Sequence, residues 1–573
     1  MGNDDVRSLP SPEWIIAPSE QQKASELAHR LGTLPLVGQL LLNRGLDSPE
    51  RADRYLMPRL GQLRRPDGDL AMAGFSAAVQ RLLTALGERE TIGVFGDYDV
   101  DGVTSCALLV TFLRSAGGVV AERVARRDAG YGFGVADVAA FSEAGCALVV
   151  TCDCGTSDHE ALAEARLRNI EVIIVDHHQV PEQRPDALAL INPHQVDCQF
   201  PFKGLASVGV AFYLAAAIRT RLREAGQDAV DPRQLLDLVA IGTVADMAPL
   251  TDENRILVSA GLRELAQGRR PGLRALSQLV QLPSGVRRSS DIGMRIGPRL
   301  NAPGRLGDAQ LALDLLLCDS DATAIDLVAA CEQANKRRRE VQERVLREAL
   351  EQCSSDRLGG AIVVAGDGWH PGVVGIVAAK LVDRFSRPAL VIALGGDEGR
   401  GSARTVGGFH LYEALRSSSD LLVRYGGHAA AGGFTVKQSN IDSLRHRMAA
   451  LAEVALASHR PTLAVDAEIN LSEVNERLCE ELGRLEPFGI ANREPLFGVR
   501  RVCLDRTRVV GDNHLQITLR SGASSIDGIG FGFAAQAPKP GSAVRAAFLP
   551  EIDSWGGRRR VRIRLRDLAS ESE

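Results

Sequence analysis

Three carboxylates, Asp97, Asp99 and Asp101, stand at alternate positions after the apolar run Ile92–Phe95 and Gly96, and Gly102 ends the series. An apolar run closed by glycine predicts a buried parallel strand, and Val103–Phe112 predicts the helix that follows. In a sheet of that kind ligands collect at the carboxyl ends of the strands. Asp99 and Asp101 crowded there repel each other unless a cation lies between them. Oxygen donors select hard cations such as Mg²⁺ or Mn²⁺. A calcium loop is disfavoured, because its twelfth position falls on Ala107 or Leu108 instead of glutamate.

Three further stretches repeat the arrangement. Ala147–Thr151 is an apolar run with Asp153 just beyond its end, between Cys152 and Cys154. Glu171–Val175 runs into Asp176, His177 and His178, and Val239–Ala245 runs into Asp246. Imidazole is a ligand for Mn²⁺ as well as Zn²⁺. The expected set is therefore Asp99, Asp101, Asp153, His177, His178 and Asp246, delivered by four strand ends or turns and sufficient for two cations sharing a carboxylate. Asp97 is expected behind the ligands, not among them.

The elements that must hold these residues predict an α/β multidomain chain. Residues 1–90 form a helical N-terminal segment, of which the first 22 or so are polar and poorly ordered. Residues 91–250 alternate strand and helix as a parallel-sheet domain, with strands near 92–95, 119–124, 147–151, 171–175 and 188–191. Residues 251–358 are a helical connector ending in a long, highly charged, solvated helix, Ala322–Gln352, that bridges two domains. Within it, Arg299–Arg305 is read as an interrupting loop. Residues 359–455 make a smaller α/β domain in which Trp369–Lys380 is a Gly-rich turn into a helix whose N-terminus suits a phosphate. The glycines around His428 suit an anion held by backbone N–H groups, against the alternative of a tight turn between helices.

Residues 462–570 change to short strands, predicting an OB-like barrel. In Arg560–Arg566 the period of two puts Arg560, Arg562, Arg564 and Arg566 on one face and Val561, Ile563 and Leu565 on the other. One or two charges suffice to protect an edge strand; four in a row predict a track for a polyanion, with Trp555 available to stack a base.

The stretches Gly96–Gly102, Thr151–Gly155 and Asp176–His178 together resemble the DHH phosphoesterase superfamily. Supporting stretches are Arg126–Gly134, Ile296–Arg305 and Tyr425–Phe434. The wider pattern is similar to the superfamily's bacterial single-strand-specific 5′→3′ DNA exonucleases. That resemblance implies metal-dependent cleavage of single-stranded DNA to mononucleotides in repair and recombination, with two Mn²⁺ or Mg²⁺ ions and Asp153 bridging them. It implies a DHHA1 substrate-binding domain in which Ser402 and Arg404 lie near a terminal 5′-phosphate, joined by Arg126 and one of Arg299 or Arg305. Asn301 and His428 are expected at the substrate too. The alternative is a phosphodiesterase of the same superfamily acting on short oligonucleotides or cyclic dinucleotides, which would need no arginine track.

The bulk composition fits this reading without announcing it. The net charge of −5 is not that of a general nucleic-acid binder, so local basic patches must act. The ten cysteines include no Cys-x-x-Cys pair, which disfavours a zinc knuckle, and they are read as reduced cytoplasmic thiols. No stretch is long and apolar enough for a membrane span. The expected partner is single-stranded DNA, with a single-strand-binding protein and a helicase as candidate protein partners.

Overall fold

The computed structural model describes residues 12–68, 71–127, 130, 132–282, 288–353, 359–457, 460–511, 513–553 and 559–571. The chain divides into two compact units: 1–64, 249–260 and 460–573 form one, and 65–248 with 261–459 the other.

In the second unit the strands Val119–Val124, Thr91–Gly96, Cys146–Cys152, Glu171–Val175 and Ala189–Ile191 lie in that order, all parallel. The chain enters at Thr91–Gly96, turns to one side, then returns to the other. The strand order therefore reverses between Thr91–Gly96 and Cys146–Cys152, the position where such sheets leave a crevice. Asp97 and Asp153 follow these two strands, and the Asp97 N–H donates to Cys152 O at 3.0 Å. Gly96 and Gly102 let the turn close. A Cβ on Gly102 would stand 2.5 Å from the backbone N and O of Asp97, and one on Gly96 would stand 2.5 Å from Gly102 O.

The smaller domain of this unit is a mixed sheet ordered Leu422–Gly427, Ala431–Lys437, Glu398–Arg404, Ala389–Gly395, Ile362–Asp367, of which only the last two are parallel to each other. The helix Asp321–Gln352, capped by Ser320, joins the two domains. Its 32 residues span about 48 Å at ~1.5 Å per residue. It packs on the helices Pro271–Leu279, Gly297–Leu306 and Gln310–Leu317 at one end. At the other, Val345 and Ala349 enter the core of the smaller domain beside Val373 and Val377. Asn335 and Gln342 are buried, so the helix is not the wholly solvated rod expected from its charge.

In the first unit five strands, Phe497–Val510, His514–Ser521, Ser524–Phe531, Ala543–Asp553 and Arg560–Ser570, close into a barrel through the pairing of the first with the fourth. Ser524–Phe531 and Arg560–Ser570 pair in parallel. The barrel core is shared with Leu27, Val37, Leu40, Leu41 and Leu56 from the N-terminal helices Gln21–Leu31, Pro35–Leu42 and Pro49–Leu56. Arg255, almost fully buried, stacks on Tyr55 at 3.7 Å and donates to Tyr55 O and Leu485 O at 2.8 and 2.9 Å.

Several expectations change. Segment 1–90 is divided: residues 12–64 pack with the barrel, whereas the helix Phe75–Glu88 belongs with the parallel sheet. Glu13–Ile16, expected to be poorly ordered, pairs as a parallel strand with Thr462–Val465. The run before Asp246 is a helix, Leu236–Ala245, not a strand; its apolar pattern suits either. Arg299–Arg305 lies inside a helix, Gly297–Leu306, with Pro303 within it, after a π-helical turn Ile292–Ile296. The glycines around His428 belong to a β-hairpin, not to a turn between helices. Trp555, Tyr131 and residues 1–11 lie outside the described residues. Among the described residues no helix is long and apolar enough to cross a membrane.

Candidate metal centre

Asp99 caps the helix Val100–Ser115 and spends Oδ1 on the N–H groups of Asp101 and Gly102, at 2.9 and 3.2 Å. Asp101, fully buried, accepts the N–H of Ser207 at 2.7 Å and of Val208 at 3.0 Å. Its carboxylate thus sits at the N-terminus of the helix Ser207–Glu224, where backbone donors and the helix dipole favour negative charge. Asp153 has a positive φ of 64°, a left-handed conformation that Asp tolerates better than most residues, and Oδ1 accepts the Ser207 hydroxyl at 3.0 Å.

His177 Nε2 lies 3.2 Å from Asp153, 3.8 Å from Asp246 and 3.9 Å from Asp101. His178 Nδ1 lies 2.8 Å from Asp176 and 3.8 Å from Asp153. Three groups of ligand atoms come within 4.8 Å of one another: Asp153 with His177 and His178; Asp101 with His177 and Asp246; Asp97 with Asp99 and Asp153. All six expected residues are thus in one place, and Asp97, expected behind them, also comes within ligand distance of Asp99 and Asp153. Asp153 belongs to two groups and His177 to two.

The donor set fits a hard divalent cation by two tests. Asp97 Oδ1 and His177 Nε2 are buried without a hydrogen-bond partner, a costly state that a cation relieves. The carboxylates also hold one another up. Burial and the charge of Asp99 raise Asp97 to about 8 and Asp101 to about 7. Burial and the charges of Asp101 and Asp99 raise Asp246 to about 9. Asp153 is pushed well above its ordinary range by burial and then by Asp99. These groups hold protons near neutrality, and a cation must displace them. Mn²⁺ affinity is therefore expected to rise between pH 6 and pH 9, with net proton release on binding. Calorimetry in buffers of different ionisation enthalpy measures this; proton-neutral binding across that range would contradict the assignment.

Sequence reading left Asp176 out of the site. It is buried, accepts the backbone N–H of His177 and His178 at 2.7 and 3.1 Å, and takes the Thr156 hydroxyl on its other oxygen. Burial would raise Asp176, but the hydrogen bond and charge of His178 bring it down to about 2. Burial would lower His178, but Asp176 overcomes this and lifts it to about 9. His177 goes the other way, to about 4, through burial and then the charge of His178. The Asp-His-His string carried this signal. Asn192, which donates to His178 O at 2.8 Å, and Ser207 had no comparable local mark.

The expected substrate residues separate. Arg305 donates to Gly372 O at 3.2 Å and is lowered to about 10 by burial and by the charges of Arg127 and Arg338. Arg127 lies 3.9 Å over the Tyr98 ring and donates to Gly304 O at 2.9 Å. Arg404 donates to Ser402 Oγ at 3.2 Å, and a Cβ on Gly375 would stand 2.9 Å from that Oγ. Arg305 and the Ser402–Arg404 pair thus meet the same helix, Pro371–Phe385, one turn apart at its N-terminal end. Arg299 is instead held by Glu332 at 2.6 Å. Asn301 is half-buried on the same helix as Arg305, and Arg126 is exposed. His428 is exposed in the hairpin, its N–H donating to Ala431 O at 2.8 Å. On the barrel, Ile563 and Leu565 point inward as expected, but Arg562 pairs with Glu551 and Asp553 at 2.6 and 3.1 Å, and Arg564 with Glu494 at 2.7 Å.

A crevice at the sheet's switch point, lined by carboxylates and the Asp-His-His pair and faced by a second α/β domain, defines a phosphoesterase of the DHH class. Residues 91–243 match the profile of the DHH family N-terminal domain, 359–453 that of the DHHA1 domain, and 465–567 that of the RecJ OB domain. The chain belongs to the RecJ family. It is 38% identical over 559 residues to the single-stranded-DNA-specific exonuclease RecJ of Dickeya dadantii (strain 3937), covering 93% of this chain and 96% of that protein. The crystal structure of RecJ from Thermus thermophilus in complex with Mn²⁺ matches 98% of this chain and 80% of that one, with a TM-score of 0.84 and 30% identity. Its complex with Mg²⁺ matches with a TM-score of 0.78 and 29% identity, over 98% of this chain and 79% of that one.

Proposed function

We propose that this chain is a single-stranded-DNA-specific exonuclease that uses two divalent cations, Mn²⁺ or Mg²⁺, and removes mononucleotides from the 5′ end. The observation that carries the reading is the convergence of Asp97, Asp99, Asp101, Asp153, His177, His178 and Asp246 at one strand-end crevice, in a chain of the RecJ family. Asp153, in two ligand groups and with two carboxylate oxygens, is the residue that would be shared between neighbouring ions, while His177 would give its single Nε2 lone pair to one of them. Bound divalent cations supply an acidified water as nucleophile and charge that stabilises the phosphoryl transition state. Asp176 holds a proton on the His178 ring through Nδ1, so that the other ring nitrogen presents a positive N–H to a phosphoryl oxygen. Ser207 fixes Asp153 and Asp101 against the Ser207–Glu224 helix. Arg404, Ser402 and Arg305, gathered at the start of the Pro371–Phe385 helix, bind the terminal 5′-phosphate and so set polarity. Action in repair and recombination, in the cytoplasm, with a single-strand-binding protein and a helicase as partners, belongs to the same reading.

The test is digestion of end-labelled strands in Mn²⁺, with chelation as control. Label at the 5′ end should appear at once as mononucleotide, duplex should resist, and chelator should stop the reaction. Release first from the 3′ end, or equal digestion of duplex, would overturn the proposal.

The barrel's contribution shifts with the ion pairs described above. Barrels of this topology bind oligonucleotides on the face of their second and third strands. There His514 and Phe531 lie ring to ring at 5.1 Å, with Phe531 57% exposed. Arg506 and Arg508, opposite Thr518 and Gln516, are exposed beside them. Replacing Arg506 and Arg508 by Ala is expected to flatten the salt dependence of long-strand binding by about 0.7 for each phosphate no longer neutralised. Arg562→Ala with Arg564→Ala should flatten it less, because both already have close carboxylate partners, at 2.6 and 2.7 Å, whereas the exposed Arg506 is held only loosely, 3.7 Å from Asp505. Titrations by fluorescence anisotropy at several salt concentrations compare the two; a larger effect at Arg562 and Arg564 restores the arginine row as the main track.

A further inference from the structure

The helix Gly297–Leu306 connects the two ends of the candidate site. At one end Gly304 abuts Tyr98, where a Cβ would stand 2.4 Å from Tyr98 O, and Arg305 follows. At the other end the π-helical turn Ile292–Ile296 packs on the helix that leads to Asp246. A Cβ on Gly293 would stand 3.9 Å from Val244 Cγ1, and one on Gly297 would stand 3.6 Å from Ala245 Cβ. Ten residues at ~1.5 Å each separate these ends by about 15 Å. The first end thus lies against the residue before Asp99, and the second against the residue before Asp246.

Two methionines stand at the Asp246 end. Met294 lies in the π turn, between the two packing glycines, and is 73% exposed. Met247 directly follows Asp246 and is 66% exposed. Met247 also has a φ of +63°, a left-handed conformation disfavoured for a side chain of its kind. Two other methionines, Met72 and Met448, are buried in cores. Exposed apolar side chains on a strained turn and on a π turn, both next to a reactive centre, mark a functional surface. Methionine is unbranched and polarisable, makes favourable contacts with aromatic rings, and adapts to partners of different shape. An enzyme that must accept every base in turn needs that adaptability.

We propose that Met247 and Met294 form the contact for the base of the second nucleotide, the one 3′ of the bond being cut. This rests on the 5′→3′ reading above. With the terminal phosphate at Arg305, Ser402 and Arg404 and the scissile bond at the carboxylates, the next base falls at the far end of the Gly297–Leu306 helix. The contact holds the strand in place after each cut without selecting a sequence.

The test uses 5′-phosphorylated single strands carrying one abasic site at position 1, 2 or 6, and the single-turnover rate of the first cut in Mn²⁺. The parent protein should be slowed about tenfold by the abasic site at position 2, in line with the worth of one stacked base, and little by that at position 6. The double variant Met247→Ala with Met294→Ala should cut the intact strand about tenfold more slowly and show no further loss at position 2. The single variant Met294→Ala, on an exposed residue, provides the same comparison should the double variant misfold; coincident thermal transitions check the fold. Indifference of the parent protein to the position 2 site, or full retention of that discrimination in the variants, overturns the proposal. A parent protein that does not cut single strands from the 5′ end would instead overturn the exonuclease reading itself, and this inference with it.

Discussion

Replacing Asp153 by Asn is expected to lower the single-turnover rate on single-stranded DNA by at least ~10³-fold, the loss of several kcal/mol of charge stabilisation at ~1.4 kcal/mol per tenfold. Asn is the informative substitution, because it keeps the size of the side chain and tolerates the φ of 64° at this position. Asp153 belongs to two of the three groups of candidate ligand atoms, so its loss should weaken both groups together. The fold should not suffer. A carboxyl whose pKa is raised by folding costs stability at any pH above its ordinary range, and Asp153 is raised well above that range. The variant should therefore melt no lower than the parent in chelator, yet lose most of the parent's rise in melting temperature on adding Mn²⁺. His177→Ala, which removes the Nε2 that faces Asp153, Asp246 and Asp101, should behave similarly in activity. Near-parental turnover in either variant, or an undiminished Mn²⁺ stabilisation in Asp153→Asn, would remove the metal assignment.

Arg404→Ala should abolish the preference for a phosphorylated 5′ end. A charge-assisted hydrogen bond to a buried partner contributes about 1.5–3 kcal/mol, or roughly 10- to 100-fold in relative rate. Burial lowers the Arg404 pKa, which leaves its guanidinium charged at neutral pH and poorly hydrated, the state in which it binds phosphate most strongly. The rate on strands with a 5′-hydroxyl should change little, so the ratio of the two rates is the quantity to measure. An unchanged ratio would place the phosphate site elsewhere, with Arg305 and Arg127 the first residues to examine.

The candidate ligand residues were legible because each lies close to a local signal. Apolar runs mark the ends of the elements, and the carboxylates and imidazoles follow within one to five positions. Asp246 was found by its neighbourhood in the sequence although its element was misread: Leu236–Ala245 is apolar nearly throughout, and such a run does not distinguish helix from strand. The division of labour among arginines was not legible. Arg299 and Arg305 lie six positions apart on one helix, yet Arg299 turns to Glu332 of the long helix and Arg305 to Gly372 of the smaller domain. On Arg560–Ser570 the alternation was correct, but Glu551, Asp553 and Glu494, which neutralise two of the arginines, arrive from other parts of the chain.

The donor types, their placement after apolar runs, the two α/β domains and the barrel could all be read from the chain, since they follow from hydrophobic period and turn chemistry within some ten residues. The assembled fold was needed to show that Asp97 comes within ligand distance of Asp99 and Asp153, that Asp176 holds His178, that the N-terminal helices share the barrel's core, and which arginines have carboxylate partners. Each of these is settled by burial and by pairing between groups distant along the chain. A charge's partner is chosen by whichever fold brings it within reach, and no periodicity records that choice.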